Sequence, residues 1–395
     1  MVVRATRKAL PVFAVLAGFA VSAGFAVLVR ATRKALPGFA VFVGFAVSAG
    51  FAVFVGLPAP SALGMSPAAI PGIAILAVSP RASGPIIVEG DAQASPTVRG
   101  LSGLTYVVAH PTLPIFYVTK ESGSGNRVLV AGTPSVTGWR ELGRARTGTG
   151  PVHIALDSDG RTAFVAGYTD GSISRVALDE RGVPEATKRV RLPAGRGPDP
   201  TRQQGPHAHS SAVSADDRYV VVADLGTDSL HVFDTRTLGP VRTERLPAGT
   251  GPRTAVFADP FNLVVSEELR GGVSWWSFDN GRLSLVRRIA LEGTTPSDVI
   301  VRPDATAGTG PKVVVVSRGT DELIGVTSEG ETRRWKTPFC GARFGAWTTT
   351  GDLVLACTRG GELRRLRLGT AVAAEVRSAT PVAAVSAFAE VGPRA

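Results

Sequence analysis

Six side chains in the middle of this chain have types and spacing that could do chemistry together. His207 and His209 stand one residue apart in GPHAHS at 205–210, in a chain with only five histidines. His153 lies in GPVHIAL at 150–156, Arg253 follows the Gly-Pro at 251–252, Glu268 lies in VVSEEL and Arg318 closes VVVVSR. A histidine beside a carboxylate can act as a base near neutral pH. Two arginines can grip a carboxylate or phosphate through paired hydrogen bonds, and a cation can stabilise a developing oxyanion. Together they suit a small, anionic, oxygen-rich ligand, with His207, His209 and Glu268 as catalytic candidates and Arg253, Arg318 and His153 as substrate-binding ones. Each also has a plainer reading. Glu268 and Arg318 could form a salt bridge between neighbouring elements, and His209 could satisfy backbone groups in a core.

The elements that would position these residues come from a repeat. Self-alignment gives GLTYVVAHP, GPVHIALDSDG, GPHAHSSAVSADD, GPRTAVFADP, TPSDVIVRPD and GARFGAWTTTG. Their second residues are Leu104, Pro151, Pro206, Pro252, Pro296 and Ala342, and the one long spacing contains an insertion, GRGPDPTRQQ, at 195–204. Each unit continues with a turn, an apolar strand such as RYVVVAD or DLVLACT, a second turn, a third strand and a more polar fourth. Four strands in about 45 residues is the period of a β-propeller blade. The expected fold is all-β: a seven-bladed propeller over 72–390, whose last blade joins PVAAVSAFAEV to GIAILAVSPRASGPIIVEG.

In such a ring the innermost strand of each blade lines a central channel. The residue after the Pro of each unit gives one ring of side chains: Thr105, Val152, His207, Arg253, Ser297 and Arg343. A second slot before each third strand holds Tyr168, Leu225, Glu268 and Arg318. Blades 3, 4 and 5 thus aim His207, Arg253, Glu268 and Arg318 at one region, with His153 and His209 nearby. Because residues i and i+2 of a strand share a face, His207 and His209 are expected on the same side.

The stretch GPHAHSSAVSADDRYVVVADLGTD resembles the PHxH…DLGxD signature of the seven-bladed propeller lactonase family, and TRQQGPHAHS, GPRTAVF…EEL, PSDVIV…VSRG and AGYTDGS are similar to family segments in the same order. That family includes bacterial 6-phosphogluconolactonases of propeller type and fungal carboxy-cis,cis-muconate cyclases. The resemblance covers about residues 72–385. It implies a lactonase-like hydrolase or cyclase acting on a small lactone or carboxylated ring, with functional residues carried over to His207, His209, Arg253, Glu268 and Arg318. The chain departs from the family at Thr254, where the family usually has His, and at Glu267, Ser317 and Gly167, where Asn is common. These departures motivate the alternative of a secreted, non-catalytic binding propeller.

The formal charge of +11 is partly local. Residues 1–64 carry Arg4, Arg7, Lys8, Arg30, Arg33 and Lys34 and no acid, and the remainder shows no basic run interleaved with aromatics. Nucleic acid is not an expected partner. The opening segment is a duplication: VRATRKALPVFAVLAGFAVSAGFAV from Val3 recurs from Val29. Each copy has the basic and apolar regions of a secretory signal, and two membrane spans would place the second basic cluster on the outside, against the positive-inside tendency. The expectation is a secreted or extracytoplasmic monomer, membrane-anchored only if this segment stays uncleaved. Cys340 and Cys357 are the only cysteines, and export permits them to pair. No cofactor or metal is expected: the cysteine spacing fits no zinc pattern, and no acidic cluster has calcium-ligand spacing.

Overall fold

The computed structural model describes residues 74–79, 86–89, 95–96, 101–121, 128–135, 138–302, 311–348, 351–369, 375–381 and 387–391, together with the short pair Val15–Leu16 and Phe54–Val55. The chain divides into two units, 1–70 and 71–395. The expected signal segment at 1–64 lies, apart from that pair, outside the described residues. No described helix is long and apolar enough to cross a membrane.

The described residues of the second unit form an all-β propeller. Six four-stranded antiparallel sheets are each made of strands consecutive in sequence. We number them by their first strands: Leu104–Ala109, Pro151–Leu156, Ala208–Val213, Pro252–Asp259, Pro296–Val301 and Ala342–Trp347 for blades 1 to 6. A further four-stranded sheet combines the two ends of the unit. In it Ala387–Val391 takes the first place and pairs antiparallel with Ala74–Val78, Val391 opposite Ala74 and Ala387 opposite Val78. First strands of successive sheets touch one another around a closed cycle, that of the end-joining sheet included. Main-chain pairing between the two ends of this unit therefore shuts the ring.

Burial follows position in the blade. Second strands such as Thr162–Gly167 and Tyr219–Asp224 are buried along their whole length, because both faces pack on neighbouring blades. This is why they read as runs of Val, Ala and Phe rather than alternating patterns. Outer strands such as Pro184–Arg191 are mostly exposed and carry the polar sequence. Trp275 and Trp276 show the period of two at an interface: Trp276 packs with Val221, Leu230 and Val232 of blade 3, and Trp275 with Val313 and Val315 of blade 5.

The Gly-Pro openings have a steric cause. Gly150 and Gly251 have φ of +66° and +58°, a region that favours glycine. A Cβ would lie 2.2 Å from the Thr169 hydroxyl at Gly150 and 2.4 Å from Leu269 Cγ at Gly251. The backbone there must pass directly beneath the turn between second and third strands. In blade 6, Cys340 and Cys357 form a disulfide with their Cα atoms 4.4 Å apart; Cys357 pairs with Ala342, two residues beyond Cys340.

Candidate active site

Each innermost strand of blades 1 to 6 begins with the same irregularity. The ladder skips Thr105, Val152, His209, Ser297 and Arg343, and sets Arg253–Thr254 against a single partner residue. A bulge leaves its extra residue unpaired and re-aims the side chain. Repeated around the ring, it sends one side chain per blade toward a common point.

This register corrects the expected place of His207. Ala208 pairs with Asp224 as Pro151 pairs with Gly167 and Pro252 with Glu267. The ring residue of blade 3 is therefore His209, and His207 occupies the place of Gly150 and Gly251. Main-chain bonds agree: Leu225 N–H donates to the His207 carbonyl as Tyr168 and Glu268 donate to Gly150 and Gly251. Because the bulge falls between Ala208 and Ser210, the parity argument for a shared face fails. His207 stacks on the Tyr168 ring at 4.5 Å and donates from Nδ1 to the Tyr168 carbonyl at 2.8 Å. His209 meets the same ring edge-on and lines the cavity, as His207 does not.

The DLGTD half of the motif holds these pieces in place. Asp224 accepts the His207 N–H at 2.7 Å and the Thr227 hydroxyl at 2.6 Å. Asp228 accepts from Gln203 Nε2 at 2.8 Å and from the Gly251 N–H at 2.7 Å. Gln203 belongs to the insertion at 195–204, and its anchoring presents Arg202 to the site. A Cβ on Gly226 would lie 1.8 Å from the Gly205 carbonyl oxygen, so glycine is required there.

The cavity has a volume of about 320 Å³ and is lined by starts of innermost strands and by turns that follow second strands. Beneath one wall lies Glu268, whose side chain is only 1% exposed. Arg253 Nη1 donates to its Oε2 at 2.6 Å, Arg202 Nη1 to its Oε1 at 2.9 Å, and Arg318 Nη2 also to Oε1. Burial alone would raise the Glu268 pKa, but these cations hold it far below the usual carboxylate range. Arg253 Nε also donates to the Ser297 carbonyl at 2.7 Å. The structure thus gathers Glu268, Arg253 and Arg318 as expected from the sequence, and adds Arg202.

On the other side, the Ser211 N–H donates to His153 Nδ1 at 3.4 Å. A backbone N–H can only donate, so Nδ1 is unprotonated and Nε2 carries the proton. That proton goes to the Tyr106 hydroxyl oxygen, 3.1 Å away, leaving the Tyr106 hydrogen free to donate. Burial and the nearby Arg253 lower the His153 pKa to about 3, which keeps this neutral tautomer. His209 is likewise held well below the ordinary histidine value, by burial and then Arg253. Burial raises the Tyr106 pKa, so the phenol stays protonated.

Four polar lining residues escaped sequence reasoning: Tyr106, Glu121, Arg202 and Asp298. Glu121 follows the second strand of blade 1 as Glu268 does that of blade 4, but more residues separate the second and third strands in blade 1, and this defeats the count used for the second slot. Asp298 had a visible signal, a lone carboxylate inside the strand sequence PSDVIV. Arg343 was placed in the ring and lines the cavity; its guanidinium makes no hydrogen bond or ion pair with a described residue. No group of three or more His, Cys, Asp or Glu among the described residues is placed to hold a metal.

Comparison with known proteins agrees with this architecture. The family described as lactonase, 7-bladed beta-propeller matches residues 88–357. A 6-phosphogluconolactonase of Formosa agariphila is 31% identical over 147 residues, which cover 35% of this chain and 42% of that protein. A 6-phosphogluconolactonase of Bacillus subtilis is 28% identical over 183 residues, covering 45% and 52% respectively. The chain thus spans about half the length of these curated relatives. The solved structure of a periplasmic gluconolactonase from Pseudomonas aeruginosa shares the fold, with a TM-score of 0.67 over 82% of this chain and 99% of that one at 21% identity. A family match over more than half of its length, on a closed ring of four-stranded sheets, makes this chain a member of the seven-bladed β-propeller lactonase family.

Proposed function

We propose that this protein is an exported hydrolase that opens a small lactone bearing a negative charge, with the cavity at the mouth of the central channel as its active site. The observation that carries the reading is the charge balance around the cavity. Arg202, Arg253, Arg318 and Arg343 line it against two lining carboxylates, Glu121 and Asp298, and the buried Glu268, which is shared by three of the four arginines. Burial and the neighbouring Arg253 lower the pKa values of Arg318 and Arg343. A bound anion would relieve that strain, and a guanidinium matches a carboxylate in shape as well as charge.

Arg343 and Arg253 would hold the substrate's anionic group, and Arg318 would support it. The Tyr106 hydrogen would face the lactone carbonyl oxygen, oriented by His153, and His209 would form part of the wall. His207 would act through Tyr168. Export rests on the repeated basic-then-apolar segment before residue 65 and on the disulfide between the only two cysteines. Export would also separate the enzyme from cytoplasmic phosphate esters, so a carboxylated lactone is the favoured substrate class.

Initial rates on lactones that are neutral, carboxylated or phosphorylated test the reading. Carboxylated lactones should be opened with the highest kcat/KM. Tight binding of a hydroxy acid with no lactone opened would replace the hydrolase by a binding propeller. For export, amino-terminal sequencing of protein recovered outside the cytoplasm should find residues 1–55 removed; finding them attached would count against the signal.

A further inference from the structure

Asp298 is a carboxylate in the cavity wall that the residue motifs did not single out. It sits in the innermost strand of blade 5, directly after the bulged Ser297, and it is buried although it lines the cavity. One oxygen accepts its own chain's Val299 N–H at 2.9 Å, and the other accepts the Gly345 N–H of blade 6 at 3.1 Å. No arginine or lysine bonds it. The Thr254 hydroxyl also bonds it, which leaves one of the carboxylate's four acceptor positions open, and the carboxylate is fastened to two blades.

We propose that Asp298 is the catalytic base of the cavity, taking a proton from the water that attacks the lactone carbonyl. This rests on the lactonase reading above. In the step, the water oxygen bonds to the carbonyl carbon as one water proton moves to Asp298, and the carbonyl electron pair shifts onto oxygen opposite the Tyr106 hydroxyl. When the tetrahedral species collapses, the bond from carbon to the ring oxygen breaks. Asp298 returns its proton to that leaving oxygen, giving a hydroxy acid. One lactone and one water are consumed and the base is restored.

The surroundings favour Asp298 over the other candidates. Glu268 has both oxygens occupied by three guanidinium groups. His153 and His209 are held neutral far below the working range, so their conjugate acids form with difficulty. Asp298 is pushed up to about 7, by burial against the opposing pull of the Gly345 and Val299 amides, Arg253 and Thr254. A base poised near the operating pH is the most effective one. The other charged and titratable groups lining the cavity are Tyr106, Glu121, His153, Tyr168, Arg202, His209, Arg253, Arg318 and Arg343.

The test is the pH dependence of lactone opening by the full-length protein and by Asp298→Asn and Asp298→Ala. Wild-type kcat/KM should rise with deprotonation of one group near pH 7. Asp298→Asn should lose about 10²–10⁴-fold in kcat with KM little changed, and the rise near pH 7 should vanish. Asp298→Ala should recover part of its rate in added formate, a response that a purely structural carboxylate would not give. An active wild type whose Asp298→Asn variant keeps its rate, or whose Asp298→Ala variant ignores formate, overturns the inference alone. A wild type that opens no lactone overturns the proposed function and this inference with it.

Discussion

Glu268 and Asp298 are two buried carboxylates at one cavity, and their surroundings drive them in opposite directions. Three arginines converge on Glu268, so its ionised form is strongly favoured despite burial. Two backbone amides, the Thr254 hydroxyl and no cation bond Asp298, so desolvation wins and its acid form persists to about 7. Residue type does not assign a role here; the partners do. A carboxylate with three cations can organise charge but cannot easily accept a proton. One bonded only by neutral groups, two amides and the Thr254 hydroxyl, can change protonation state near neutral pH.

The sharpest way to break this contrast is Glu268→Gln, which leaves three neighbouring guanidinium groups without their shared anion. A loss of about 3–5 kcal/mol in folding stability is expected, read by denaturant or thermal unfolding; a loss under 1 kcal/mol would mean that the cluster is not the keystone it resembles.

Asp298→Asn should have the opposite sign. The folded protein holds the Asp298 proton up to about 7, whereas an unfolded chain releases it near 3.9. The stability contributed by this group is therefore present below the unfolded value and is lost as pH rises through about 7. The variant should be more stable than wild type at pH 8, by on the order of 2–4 kcal/mol, and no more stable at pH 4. Equal melting temperatures at both values would contradict it.

Tyr106→Phe removes a donor but not the ring packed on His153 and Phe344. It should reduce kcat by about 10²–10³-fold while leaving the melting temperature close to that of wild type. Arg343→Gln should raise KM for anionic lactones roughly tenfold or more and leave neutral lactones unaffected. Its folding stability should stay within about 0.5 kcal/mol, since Arg343 bonds no described residue. The two histidines give the finest test. His209→Ala opens the cavity wall, whereas His207→Ala only loosens Tyr168, so the second should have the smaller effect on kcat/KM. Equal losses would show that the Tyr168 stack matters as much as the wall.

The site was legible in proportion to how strictly the repeat was kept. Arg253, Ser297 and Arg343 could be placed in a ring because Gly-Pro or its equivalent precedes each at constant offset, and that offset reflects a bulge with a steric cause at Gly150 and Gly251. Glu268 and Arg318 could be paired across blades by the same logic. Blade 3 broke the rule: its Gly-Pro stands two residues further from the strand, and counting from it exchanged His207 for His209. Arg202 was hidden because a loop insertion has no register until Gln203 and Asp228 anchor it.

The sequence by itself determined the propeller and the gathering of arginines around one carboxylate, because hydrophobic strands and turns recur at a blade's period and equivalent positions in a ring must converge. Only the tertiary structure decided which carboxylate is locked and which can take a proton. Protonation depends on what each group loses on leaving water and on the cations or amides that replace it. For Asp298 one of those amides comes from Gly345, in a neighbouring blade 47 residues away.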